Sequence, residues 1–170
     1  MKEKLLKYLQ DPSPENFSEV RLSLITHPEY SPYSRDIDHI AQLQNQNKHN
    51  EALAAYFNSM PNMALSPKVH LLAALSYTEI KSEEEAKTKL NMYYLCIEGI
   101  LSTGEGTEIK PYLVCRVSDE YDILDFLKKK RVKQSLCNIN GREIDLLDLD
   151  DGTSIYFDIS EPLNRGMQNK

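Results

Sequence analysis

The chain has 170 residues, 41% hydrophobic and 27% charged, with a formal net charge of -6 and a pI near 5.3. That is ordinary globular composition, sufficient for one domain with a real core or two small units sharing one. An acidic surface repels phosphate backbones and anionic lipid, which sets nucleic acid and membranes aside and leaves another protein, one of basic character, as the expected partner.

From the N-terminus, charges at Lys2, Glu3, Lys4 and Lys7 run through the leucines of residues 2–10, so the uninterrupted apolar core of a signal peptide is missing. No stretch approaches the roughly 20 apolar residues of a membrane span, and the expectation is a cytoplasmic protein. Three cysteines, Cys96, Cys115 and Cys137, are odd in number and sit among apolar neighbours, which reads as reduced, buried thiols.

The first hundred residues carry helical periodicity. Leu5, Leu6 and Leu9 mark a helix stopped by Asp11-Pro12. Pro14 sits near the start of a second helix, whose buried stripe is Phe17, Val20, Leu24 and Ile25. A rigid connector over residues 27–34 follows, with Ser34 expected to cap a third helix. An internal echo then appears: Glu51-Ala52 and Glu85-Ala86 lie 34 residues apart, the period of tetratricopeptide helix pairs. Ile37, Ile40, Ala41 and Leu43 face Ala52, Leu53, Tyr56 and Phe57 in the first pair. Val69, Leu72, Ala73, Leu75 and Tyr77 face Ala86, Leu90, Tyr93, Tyr94, Ile97 and Leu101 in the second. The fuller tetratricopeptide pattern is absent, so the expectation is tetratricopeptide-like packing without a true array.

After Gly104 the period shortens. Residues 111–117 read as a strand, and Ser118 as the cap of a helix with Asp119, Glu120 and Asp122 at its positive end. Ile123, Leu124, Phe126 and Leu127 form that helix's apolar side, and Lys128-Lys129-Lys130-Arg131 its cationic terminus. Asn140-Gly141 and Asp151-Gly152 are two-residue hairpin signals joining strands at about 132–139, 142–149 and 153–159. Parity slips at Leu146-Leu147, which suggests a bulge there. The fold class expected is α+β: tetratricopeptide-like helical hairpins over 1–101, a β-α-β-β-β unit with an antiparallel meander packed on them over 102–163, and a tail over 164–170.

No motif carries chemistry. Counting back from Gly152 puts Leu147 and Leu149 where a calcium loop needs oxygen ligands. Ser102-Thr103-Gly104-Glu105-Gly106-Thr107 lacks the lysine of a phosphate-binding loop and follows a helix instead of a strand. His27, His39, His49 and His70 show no i, i+4 pairing and stand near no cysteine. The basic run reads as a helix terminus. No catalytic residue, cofactor or metal is expected, and the chain does not read as an enzyme. Ten tyrosines against no tryptophan give mild support for a binding surface.

The runs Gly104–Thr107, Val117–Leu124, Gln134–Leu136 and Ile155–Ile159, with Tyr30-Ser31-Pro32-Tyr33 upstream, resemble an uncharacterised bacterial family, domain of unknown function 4919, over roughly residues 30–160. The Ser118-Asp119-Glu120-Tyr121 stretch is the most specific part of that resemblance. The family implies no activity and no catalytic residues. The functional expectation is therefore a protein-binding protein, first an immunity protein neutralising a cognate, basic bacterial toxin, and second a scaffold or chaperone-like adaptor with a helical groove. An enzyme with a site at the helix–sheet junction is the third reading. The partner-binding residues expected are Glu143, Asp145, Asp148, Asp150 and Asp151 on a strand–turn segment, with Asp119, Glu120 and Asp122 as the second set.

Overall fold

A computed structural model describes residues 1–168. Six helices come first: α1 (Lys2–Gln10), α2 (Pro14–Ile25), α3 (Asp36–Asn45), α4 (His49–Asn58), α5 (Pro67–Glu79) and α6 (Glu83–Ser102). Then follow β1 (Tyr112–Leu113), α7 (Val117–Leu127), β2 (Arg131–Ile139), β3 (Arg142–Leu149), β4 (Ser154–Asp158) and α8 (Ser160–Gln168). The architecture is α+β, as the pattern implies. The sheet order is β1-β4-β3-β2, with β2, β3 and β4 an antiparallel meander and β1 parallel to β4. No helix among the described residues is long and apolar enough to cross a membrane.

The helical echo is visible in individual hydrogen bonds. Asn47 and Lys81 both take positive φ, +58° and +60°, just past the ends of α3 and α5. Lys48 N–H donates to Leu43 O and Ser82 N–H to Tyr77 O, each at 2.9 Å. Asn47 N–H donates to Gln44 O and Lys81 N–H to Thr78 O at 2.8 and 3.0 Å. This paired bonding ends a helix on a left-handed residue and satisfies its last carbonyls. Every member of the first turn recurs 34 positions later, so the repeat is a repeat of turn chemistry, and it folds each helix back on its successor.

Two apolar clusters result. Ile40, Ala52, Leu53, Tyr56, Met63, Val69, Leu72 and Ala73 fill the space among α3, α4 and α5. The larger cluster draws Phe17, Val20 and Leu24 of α2, Leu95, Ile97 and Ile100 of α6, Ile123 and Leu124 of α7, and Leu147, Leu149 and Phe157 of the sheet. It spans residue 101, so helical and α/β regions share one interior. In its centre α2 and α6 approach at Gly99, where a Cβ would intrude on the Phe17 ring, itself packed edge-on against Tyr8 at 5.4 Å.

Several local expectations change. The strand expected over 111–117 is paired only at Tyr112–Leu113, because side chains take over the backbone groups beyond it. Val114 O accepts from Arg21 at 3.1 Å and Cys115 O from Tyr30 at 2.5 Å, while Cys115 and Arg116 N–H donate to Asp119. Helix α7 is capped at Arg116, so Ser118 lies within its first turn, and α3 is capped at Arg35, one residue beyond Ser34. The bulge falls in β2, between Arg131 and Lys133. β3 stays in register at Leu146-Leu147, with Leu147 facing the core and Leu146 half-buried on the opposite face. The tail expected from residue 164 is helical through 168: Arg165 of α8 donates to Tyr30 O at 3.1 Å and Pro28 O at 3.0 Å, anchoring it on the early connector. Cys96 and Cys115 are free and buried, but Cys137 on β2 is only half-buried.

Gly99→Ala discriminates packing from propensity. In a helix the change alone favours folding by about 1 kcal/mol. With the Phe17 ring in the way, overpacking of about 1–3 kcal/mol should outweigh it and lower the urea midpoint. A raised midpoint would mean that the α2–α6 contact is looser than described.

Candidate functional site

Polar side chains converge where α7 starts. Arg116 is 2% exposed although its side chain carries a full charge. Its Nη1 donates to Ser31 O at 2.7 Å, and its Nη2 to both Asn62 O, at 2.8 Å, and Asn62 Oδ1. Asn62 also accepts from Ser31 N–H at 2.8 Å and donates to Ser34 Oγ at 3.0 Å. One guanidinium thus joins the connector before α3, the loop before α5 and the start of α7. Asp119 supplies the counter-charge and accepts from the backbone N–H groups of Cys115 and Arg116 at 3.2 and 3.0 Å. One turn on, Asp122 accepts from Lys68 N–H at 3.0 Å, occupying an N–H that the first turn of α5 leaves without an intrahelical partner.

Glu120 points the other way, towards the sheet. It is fully buried near Asp145 of β3, and among the described residues neither of its oxygens has a hydrogen-bond partner, so burial favours its protonated form. Asp145 lies inward because it pairs with Phe157 and shares that residue's face of the sheet. Its Oδ2 accepts from Gln134 Nε2 at 2.8 Å. Outside it, Tyr121 OH donates to Gln134 at 3.0 Å and accepts from Arg131 at 2.9 Å, and the Arg131 guanidinium stacks 5.1 Å from the Tyr121 ring.

Burial sets the protonation of these groups. Desolvation, reinforced by the charge of Asp145, pushes Glu120 up to about 9. Desolvation raises Asp119 to about 7 against the pull of Arg116, and Asp122 to about 7 against the Lys68 N–H. In the helical cluster, burial lowers His70 to about 4, so it is neutral. Its ring nitrogens sit 3.1 Å from Tyr56 OH and 3.0 Å from Ala64 O, which fits an Nε2–H donating to the carbonyl and an Nδ1 accepting from the phenol.

Residues 13–168 match the family model described as Domain of unknown function (DUF4919). The chain belongs to that family. Neither a curated protein nor a solved structure matches it significantly. Ser118-Asp119-Glu120-Tyr121, the most specific part of the resemblance, lies at the start of α7, whose first two turns bury Asp119, Glu120 and Asp122 in this DUF4919 chain.

The acidic residues read from the sequence thus divide. Asp119, Glu120, Asp122 and Asp145 are interior and offer a partner no free charge. Glu143 and Asp148 are half-buried, with Glu143 accepting from Asn138 at 2.7 Å and Asp148 from Ser154 Oγ at 2.9 Å. Asp150 and Asp151 are exposed, but Asp151 is paired with Lys129, which together with Thr153 holds its carboxyl below the usual range. The tyrosines divide likewise: Tyr8, Tyr30 and Tyr56 are interior, whereas Tyr33 and Tyr94 are 54% and 44% exposed. A groove of about 530 Å³ lies between α5 and α6, lined by Leu71, Ala74, Leu75, Ala86 and Leu90, none of them among the partner-binding residues expected from the sequence. Leu75 and Leu90 are 51% and 37% exposed there, and their repeat positions were the available signal.

A carboxyl whose folded pKa is raised stabilises fully below its unfolded value, and loses that contribution as pH rises through the folded one. For Asp119 and Asp122 that window runs from 3.8 to about 7, and for Glu120 from 4.5 to about 9. His70 acts oppositely, its contribution being present above 6.5 and lost as pH falls through about 4. Three groups outweigh one, so urea titrations should show stability declining from about pH 5 to about pH 9, and Glu120→Gln should flatten the decline above about pH 7. Stability rising over that range would contradict the buried carboxyls. Separately, Arg116→Met should cost about 3–5 kcal/mol by stranding Asp119 and Asn62, and adding Asp119→Asn should recover part of it. Additive losses in that cycle would show the two groups to be uncoupled.

Proposed function

We propose that this chain works by binding another protein, and that it is a cytoplasmic immunity protein neutralising a bacterial toxin by direct contact. The observation that carries the binding reading is the α5–α6 groove. Apolar side chains standing in water on two ordered helices form a preformed seat for a partner's apolar residues. The net charge of -6 supports a basic partner, as many toxin domains are, and exposed Asp150 with half-buried Asp148 would steer its approach.

The adaptor reading is favoured by the repeated turn chemistry, which is how helical-repeat proteins build peptide grooves. The two differ in consequence, since an immunity protein abolishes its partner's activity and an adaptor leaves it intact. Co-purification from the native host, followed by association kinetics, tests both. Leu75→Glu should abolish the complex and restore toxin activity with little change in thermal stability. Asp148→Lys with Asp150→Lys should slow association by roughly 10-fold and blunt its salt dependence. A complex that survives Leu75→Glu would remove the groove, and a fully active bound partner would replace immunity by the adaptor role.

A further inference from the structure

β2 is an edge strand, paired with β3 on one side only. Past the bulge at Arg131/Lys133 its ladder is regular from Lys133 to Ile139, long enough to template an added strand of about six residues. Its packing is almost wholly with β3, so its outer row of backbone N–H and C=O groups faces solvent. Val132 and Leu136 are 70% and 58% exposed. They give the edge an apolar character that soluble proteins usually avoid on a free strand.

The chain segment entering this edge is opposite in charge to the molecule, although Asp148 faces Lys133 across the ladder and Asp150 N–H donates to Lys130 O. Within a chain of net charge -6, Lys128, Lys129, Lys130, Arg131 and Lys133 stand at the entry to β2. Lys129 is committed to Asp151, and Arg131 to Tyr121 and Gln134. Lys128, Lys130 and Lys133 are exposed and, among the described residues, form no ion pair. Lysines on an edge ordinarily guard it against pairing with another copy of itself. Here they also select what can pair, because a strand carrying carboxylates meets attraction where a second β2 brings more cations.

We propose that the open edge of β2 is a docking strand for an extended acidic segment of a partner protein, added to the sheet as a fifth strand. Main-chain bonds to residues 133–139 supply affinity, Val132 and Leu136 receive alternate apolar side chains, and Lys128, Lys130 and Lys133 receive the carboxylates. This surface is independent of the α5–α6 groove and stands whether or not that groove binds a toxin.

The test uses the full chain, isotope-labelled for NMR, and three synthetic eight-residue peptides. One alternates Val with Glu, one alternates Val with Lys, and one is the Val–Glu peptide with its four central residues replaced by proline, which removes N–H donors from both edges of the strand. The Val–Glu peptide should shift amide signals of residues 131–139, bind more weakly as salt is raised, and lose affinity roughly tenfold with Lys128→Glu and Lys130→Glu. The proline peptide should leave those signals unmoved, and the Val–Lys peptide should bind at least tenfold more weakly than Val–Glu. Equal binding of the two charged peptides, shifts centred on α5 and α6, or no shift at millimolar Val–Glu peptide would each overturn the proposal. So would sedimentation showing that the protein's own dimer, dissociated by Leu136→Glu, already occupies the edge.

Discussion

The Arg116 guanidinium is the point through which the fold is tied together. Three stretches that form neither helix nor strand, at Ser31, at Asn62 and at Cys115–Arg116, meet around it. Irregular backbone is tolerable inside a protein only when its polar groups are paired, and here one side chain with five donors does much of that pairing. A hydrophobic residue in its place would leave those carbonyls without partners. A lysine would reach fewer of them and lacks the planar fork.

That arrangement also explains why the first turns of α7 are so polar and so buried. Asp119 balances Arg116, Asp122 serves the start of α5, and Glu120 is buried towards Asp145 of the sheet. One helix therefore addresses three neighbours with three carboxyls spaced around its circumference. Each is costly to bury alone; backbone donors offset the cost at Asp119 and Asp122, and at Glu120 burial favours the neutral, protonated form.

The overall architecture was legible because it rests on short-range signals: hydrophobic period, the 34-residue echo and the two turn dipeptides, of which Asn140-Gly141 is the expected two-residue turn and Asp151-Gly152 lies in a longer one over 150–153. The site was not. Asp119, Glu120 and Asp122 follow the pattern of acids that complement a helix dipole, and nothing local distinguishes a solvated acid from an interior one. Asp145 did carry a signal, since it alternates with Leu147 and Leu149 and so shares their inward face. Arg116 gave none, because its partners lie 54 and 85 residues away. The last helix was missed for a related reason. Its sequence is mostly polar, and Arg165 fastens it to the carbonyls of Pro28 and Tyr30 near the other end of the chain.

The two apolar clusters differ in how much chain each needs. The one among α3, α4 and α5 is drawn from residues 37–77, a contiguous run of local helix pairs. The larger one joins Tyr8 to Leu95 and closes only when Phe157 and Ile159 arrive. On a ribosome the middle of this protein can therefore condense while later strands are still being made. Phe17, Val20 and Leu24 of α2 can meet α1 and α6 early, but their cluster stays open on its sheet side until Leu147, Leu149 and Phe157 have emerged.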